Sequence, residues 1–292
     1  MNFDLSKISK KNLPAILGAL IGVVAVIIAI FVFLGSSSGP GINATPQEQF
    51  KYGMKKAVSE GALLDKLVGQ FHLSDSKTEI LKAHYKSMFD DKLLDYYIAQ
   101  LDAKGVFKSK KPNMKVLMPL VVKLSNEIGQ KGITRLTKED RLAYFVYSEK
   151  LPFVLSPNTC KMLVVENPSL YSQKEFQSSS KKVFKRLSED ELTAYLHAIN
   201  AASHAEIDNN PQPLVLTKEQ KKRATDVFSA QLDKQIASLP QMQQKRIKQA
   251  AEQFEEGRAM DVCSYGKQIY KAILSIEDPD DKDLVVLVFL GQ

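Results

Sequence analysis

The chain has 292 residues, 44% of them hydrophobic and 25% charged, with 40 Lys+Arg against 33 Asp+Glu and a formal charge of +7. That apolar share excludes a wholly disordered chain, and the length suffices for one large domain or two small ones with a real core. The charge excess is mild, and the P-loop, G-x-S-x-G, HExxH and paired S-x-x-K/K-T-G signatures are absent from the sequence, which leaves the chain without a recognisable catalytic motif.

The first element is an apolar run. Ala15 to Leu34 is 20 residues without a charge, an amide or a hydroxyl. At ~1.5 Å per residue it forms ~30 Å of helix, the thickness of a hydrocarbon core. Globular helices of that length carry a polar face. A cleaved signal peptide has an apolar region of only ~7–15 residues, and no clear A-x-A-like site follows, although Gly35 and Ser36–Ser38 are small. The run is therefore expected to be an uncleaved signal anchor. Lys7, Lys10 and Lys11 precede it, and no Lys or Arg follows until Lys51. Positive charge stays on the cytoplasmic side, so the N-terminus is expected inside and the rest outside. Gly18 and Gly22 form a GxxxG, which fits either a homodimer through the membrane helix or ordinary membrane composition.

The predicted organisation is a cytoplasmic N-terminus over 1–11, a transmembrane signal anchor over 12–35, a Gly/Ser/Pro tether over 36–46 and an extracytoplasmic all-helical domain over 47–292. Two packed bundles divided near residue 150 are one arrangement of that domain. With the anchor and its flank removed, the remainder sits near +5, because three Lys and one Asp precede the run.

Beyond the tether the period is helical. Thr45-Pro46-Gln47-Glu48 is a capping box with proline at the first helical position, and Phe50, Met54 and Val58 follow at spacings of four as far as Gly61. Leu63, Leu64, Leu67 and Phe71 define a second helix. Ser76 to Glu79 is expected to open a third, with Ile80, Leu81, Tyr85 and Met88, and Leu93, Leu94, Tyr97, Ile98 and Leu101 a fourth, ending near Gly105. A fifth should cover Asn113 to Ile128 with a kink at Pro119. Thr137 caps a sixth holding Leu142, Phe145 and Val146. Ser156-Pro157 starts a short one with Cys160, Leu163 and Val164, and Lys174 to Leu187 is moderately helical. Ser188 to Glu191 is another capping box. Asp208 to Pro213 is the clearest break, and three helices follow over Lys218–Ser238, Gln241–Gly257 and Arg258–Ile276. Leu284 to Leu290 is apolar and β-branched enough for a strand, but the acids around Pro279 favour a helix N-terminus, so a short buried helix is expected. The fold class expected is all-α.

Cys160 and Cys263 both fall on the expected outer side, where two thiols can form one disulfide; that bond is expected, the alternative being two separate buried thiols. They make no CxxC, and nothing near them completes a zinc site. Of the four histidines only His197 and His204 are close, two turns or ~10 Å apart, too far to share a metal with bonds of ~2 Å. Glu255-Glu256 and Asp280-Asp281 read as solvated charge and caps. Lys104, Lys108, Lys110, Lys111 and Lys115 run without an intervening acid and form a candidate basic patch. Further clusters are Lys181, Lys182, Lys185 and Arg186, and Lys218, Lys221, Lys222 and Arg223. On the outer side such patches suit anionic headgroups or an acidic protein surface rather than nucleic acid.

No catalytic residue, cofactor or metal ligand is assigned. The expected function is non-enzymatic: a bacterial inner-membrane protein, single-pass, whose periplasmic helical domain binds another envelope protein as an adaptor or assembly factor. The alternatives are a cell-envelope enzyme with a site assembled from scattered residues and a carrier of lipid or another apolar ligand.

Overall fold

The computed structural model describes residues 44–59, 61–88, 90–108, 114–165, 173–252 and 258–290. The expected anchor, its Gly18 and Gly22, and the tether up to residue 43 lie outside these residues. No helix among the described residues is long and apolar enough to cross a membrane. Those residues are all helical, without strands: α1 (Pro46–Ser59), α2 (Ala62–Gly69), α3 (Asp75–Ser87), α4 (Asp91–Ala103), α5 (Met114–Ile133), α6 (Lys138–Lys150), α7 (Pro157–Val165), α8 (Gln173–Arg186), α9 (Glu189–Asp208), α10 (Lys218–Ala237), α11 (Gln241–Glu252), α12 (Ala259–Leu274) and α13 (Pro279–Phe289), with 3-10 turns at Val106–Lys108 and Leu151–Phe153.

Local chemistry sets the helix starts. Thr45 Oγ1 accepts from the Glu48 amide at 3.2 Å while Glu48 Oε2 accepts from the Thr45 amide at 2.8 Å, so two otherwise orphaned donors are satisfied reciprocally. Ser188 with Glu191 does the same for α9, and Thr217 with Gln220 for α10. The third helix starts two residues earlier than expected. Its N-cap is Ser74, whose side chain accepts from the Lys77 amide, and Asp75 fills the first turn. Both serines suit a cap; the earlier one adds an acid where the helix dipole favours it.

The chain forms two compact units. The first holds the described residues up to Arg135 together with Ser188–Gln212; the second holds Leu136–Leu187 and the described residues from Pro213 onward. Each unit is therefore discontinuous in sequence.

In the first unit, α1 buries Phe50, Met54 and Val58, and the Phe50 ring meets Phe107 edge to face at 5.6 Å. Leu64 and Phe71 are buried as expected; the side chains of Leu63 and Leu67 lie outside the description. α4 buries all five residues of its expected face. α9 closes the unit by packing along α5, and it also touches α3 and α4. α5 runs on through Pro119 to Ile133, one turn further than expected. Small residues bring α5 and α9 together: a Cβ at Gly132 would stand 1.8 Å from the Ala202 carbonyl oxygen.

In the second unit α12 is central, with α7, α10, α11 and α13 against it. Phe145, Phe228, Tyr270 and Phe289 form one aromatic cluster; Phe289 is 6.4 Å from Phe145, 5.9 Å from Phe228 and 6.1 Å from Tyr270, centroid to centroid. Such offset and edge-on pairs add to burial. The apolar run at 284–290 is helical: Asp278 caps α13 by accepting from the Asp280 and Asp281 amides at 2.9 Å, with Pro279 behind it. The face of α6 differs from expectation. Leu142 and Val146 are only half-buried, whereas Arg141, Tyr144, Phe145 and Ser148 face the interior.

Candidate functional site

The two cysteines meet. Cys160 rides on α7, which starts where Ser156 Oγ accepts from the Thr159 amide at 3.2 Å. Cys263 lies in the second turn of α12. Their Cα atoms are 5.4 Å apart and their sulfurs are bonded, within the range that a disulfide requires. Both residues are buried in the second unit. With neither sulfur free, Cys160 has no thiolate to offer as a nucleophile.

Two buried arginines are each held by several acceptors. In the second unit Arg141 donates from Nε to Asp283 Oδ1 at 2.9 Å and from Nη2 to Asp283 Oδ2 at 2.6 Å, and from Nη1 to the Leu136 carbonyl. The two side chains are 4% and 11% exposed. A fork-to-fork pair of this kind offsets the loss of water on both ions. In the first unit Arg135 donates to Glu206 at 2.9 Å, to Asn209 Oδ1 at 2.6 Å and to the Pro211 carbonyl at 2.7 Å. It thereby ties the end of α5 to the end of α9 and to the break that follows, where Asn209 takes the left-handed conformation with φ 50°.

The histidines are dispersed. His72 and His197 are exposed. His204 Nε2 stands 2.9 Å from Asp90 Oδ2, while Asp90 Oδ1 caps α4 through the Leu93 amide. His84 is buried on α3 with no partner for Nδ1, and burial pushes its pKa from 6.5 down to about 3, so it is neutral near pH 7. Burial likewise pushes Tyr97 up to about 12 against the pull of its 2.9 Å hydrogen bond with Ser125. Among the described residues no three His, Cys, Asp or Glu side chains stand where they could hold one metal ion.

The expected basic patch is only partly described. Lys104 and Lys108 are exposed, and the Lys108 stem lies over Gly105, whose φ is +74°. Lys110, Lys111 and the Lys115 side chain lie outside the description. In the cluster at the start of α10, Lys222 pairs with Asp226 at 3.3 Å and Arg223 with Asp281 at 2.6 Å. Arg186 donates to the Phe153 carbonyl at 3.2 Å. Sequence reasoning passed over a different group: Lys245, Arg246 and Lys248 on α11, all exposed and beside an exposed Met242.

Comparison with known proteins finds no family model, curated protein or solved structure that matches the chain.

Proposed function

We propose that the chain is a non-enzymatic, membrane-anchored protein of the bacterial inner membrane, with its N-terminus in the cytoplasm and its helical part in the periplasm, where it binds another envelope protein as an adaptor or assembly factor. The observation that carries the compartment is the bonded pair Cys160–Cys263, separated by 103 residues in sequence and buried. Such bonds persist where the surroundings are oxidising, and that agrees with the topology drawn from Lys7, Lys10 and Lys11. The binding role draws its support from the sequence, which carries no P-loop, G-x-S-x-G, HExxH or paired S-x-x-K/K-T-G signature, and from a helical scaffold in which Arg141 holds Asp283 and Arg135 holds Glu206.

Two measurements test the proposal. Fused after Gln292, a reporter active only in the periplasm should work and one active only in the cytoplasm should stay dark; the reverse result removes the topology. A mild-detergent pull-down of the full chain should retain a stoichiometric membrane partner, and recovery of the chain alone overturns the adaptor role.

A further inference from the structure

Between α9 and α10 the chain runs from Gln212 to Thr217 without forming a helix or a turn. Leu214 is 42% exposed and Val215 81%, the highest value of any large hydrophobic residue among those described. Leu216 next to them is buried, and Thr217 begins the capping box of α10. Gln212 to Leu216 make no backbone–backbone hydrogen bond among the described residues. The last fixed point before them is the Pro211 carbonyl, which accepts from Arg135 at 2.7 Å. Two adjacent exposed aliphatic side chains on a backbone with free N–H and C=O groups suit an endoprotease cleft. Such a cleft pairs with the backbone of an extended segment and takes its side chains in pockets, and exposed loops are where chains are nicked.

Proline narrows the choice of bond. Asn210–Pro211 and Gln212–Pro213 place the ring on the leaving nitrogen. Pro211–Gln212 and Pro213–Leu214 place it on the acyl side, where φ is locked and the N–H is missing. Val215–Leu216 and Leu216–Thr217 involve a buried side chain. Within this stretch Leu214–Val215 alone has an exposed aliphatic residue on each side and no proline. No Lys or Arg occurs from Ser188 to Thr217, so a pocket built for cations finds nothing to hold.

The disulfide sets the outcome of a cut at this bond. The first unit ends at Gln212 and loses no covalent link. The second unit draws Leu136–Leu187 from before the bond and the helices from α10 onward from after it. Cys160 falls in one piece and Cys263 in the other. Arg141 and Asp283 are parted in the same way, as are Phe145 and Tyr270, whose rings are 5.8 Å apart.

We infer that Leu214–Val215 is a processing site, hydrolysed by an endoprotease with an apolar primary pocket, and that the product is a two-chain protein joined by Cys160–Cys263. Water gives its oxygen to the Leu214 carbonyl carbon, the C–N bond breaks, and Val215 keeps the nitrogen as a new amine; nothing is oxidised or reduced. The contacts buried between the two pieces hold the second unit together, and the disulfide stops the pieces from parting. The inference goes beyond the adaptor reading and does not depend on it.

The test recovers the full chain, tagged at its C-terminus, from the cells that make it, with thiols blocked, and runs it with and without reductant. Without reductant one full-length band should appear; with it, a short tagged piece whose first residue is Val215. On the purified full chain in detergent, limiting chymotrypsin, whose primary pocket is a hydrophobic slot, should cut first at the same bond. Val215→Pro removes the leaving N–H, and Leu214→Glu puts a charge into an apolar pocket. Both positions are exposed, so each variant should keep the parent's melting temperature and lose the cleavage; if one unfolds, the other still reads the bond. Full-length chain with and without reductant in native cells overturns the inference, as does a first cut elsewhere or cleavage that survives both substitutions. A tagged piece that separates without reductant overturns the joined product. A segment that resists chymotrypsin in native membranes but not after purification is covered by a bound protein, and that result overturns processing.

Discussion

Two glycines three residues apart on α5 should respond to the same substitution with opposite signs. A Cβ on Gly129 meets nothing within 4 Å, whereas a Cβ on Gly132 stands 1.8 Å from the carbonyl oxygen of Ala202. Glycine inside a helix is worse than alanine by ~1 kcal/mol, so Gly129→Ala should stabilise the first unit by ~0.5–1 kcal/mol. Gly132→Ala collects the same benefit but must push α5 and α9 apart by more than ~1 Å to reach ordinary contact. Overpacking of this kind typically costs ~1–3 kcal/mol, and more when the obstacle is backbone rather than a side chain that can turn away. A net loss of ~2 kcal/mol is expected, because α9 closes the unit and the separation loosens the apolar contacts on both sides of the glycine. Native-state hydrogen exchange of the α9 amides reads the change locally, without contribution from the second unit. Ala202→Gly should fail to rescue Gly132→Ala, since the clash is with a carbonyl that glycine retains. A neutral or stabilising Gly132→Ala, or rescue by Ala202→Gly, would refute the close approach.

Arg141→Met should destabilise the second unit by ~3–5 kcal/mol, because it leaves Asp283 buried without its partner, and adding Asp283→Leu should restore most of the loss; urea unfolding measures both, and no recovery in the double variant would show that pairing is not the reason for the loss. Reducing Cys160–Cys263, which are 103 residues apart, frees a loop worth ~4–5 kcal/mol in the chain-entropy model, so the second unit should melt well below its oxidised temperature; two thiols labelled readily in the native oxidised protein would sink the bond. His84 has a folded pKa lowered from 6.5 to about 3 by burial. Below pH 6.5 the unfolded chain takes a proton that the folded one refuses, so stability is intact above that pH and falls as pH falls towards about 3. His84→Leu should flatten that limb of the stability profile, and an unchanged slope would refute the buried neutral imidazole.

Short-range chemistry was the most legible. A cap needs residues three apart, and Thr45–Glu48, Ser188–Glu191 and Thr137–Asp140 fall where the pattern places them. Ser74 and Ser76 show the limit: two serines two residues apart compete, each with an acid in the turn that follows it, Asp75 for Ser74 and Glu79 for Ser76, so the local pattern does not choose between them. The face of α6 was misread for a longer-range reason. Leu142, Phe145 and Val146 are the apolar set, yet the helix turns so that Arg141 and Ser148 go inward. What makes an inward Arg141 acceptable is Asp283, 142 residues away, and no local period reports such a partner. The return of α9 to the first unit is equally non-local. Gly132 and Ala202 mark it only by being small, and small residues occur for many other reasons.

The candidate sites divide along the same line. With two cysteines only one pairing exists, so Cys160–Cys263 required no geometry to name. Neither helical period nor charge density alone marks out Lys245, Arg246 and Lys248 on α11. Lysine runs such as Lys218–Arg223 drew attention by density, although two of those cations are engaged by Asp226 and Asp281. Whether a helical cation is paired depends first on an acid three or four residues away. Lys222 has Asp226 at that spacing and uses it. Lys245 has Gln241, Met242, Lys248 and Gln249 at those positions, and Arg246 has Met242, Gln243, Gln249 and Ala250. Lys248 alone has an acid, Glu252, four residues on. The absence of local partners for two cations in a row is thus written in the sequence. It becomes visible only when each charge is asked for its neighbour on the helix, rather than for its distance to the next lysine.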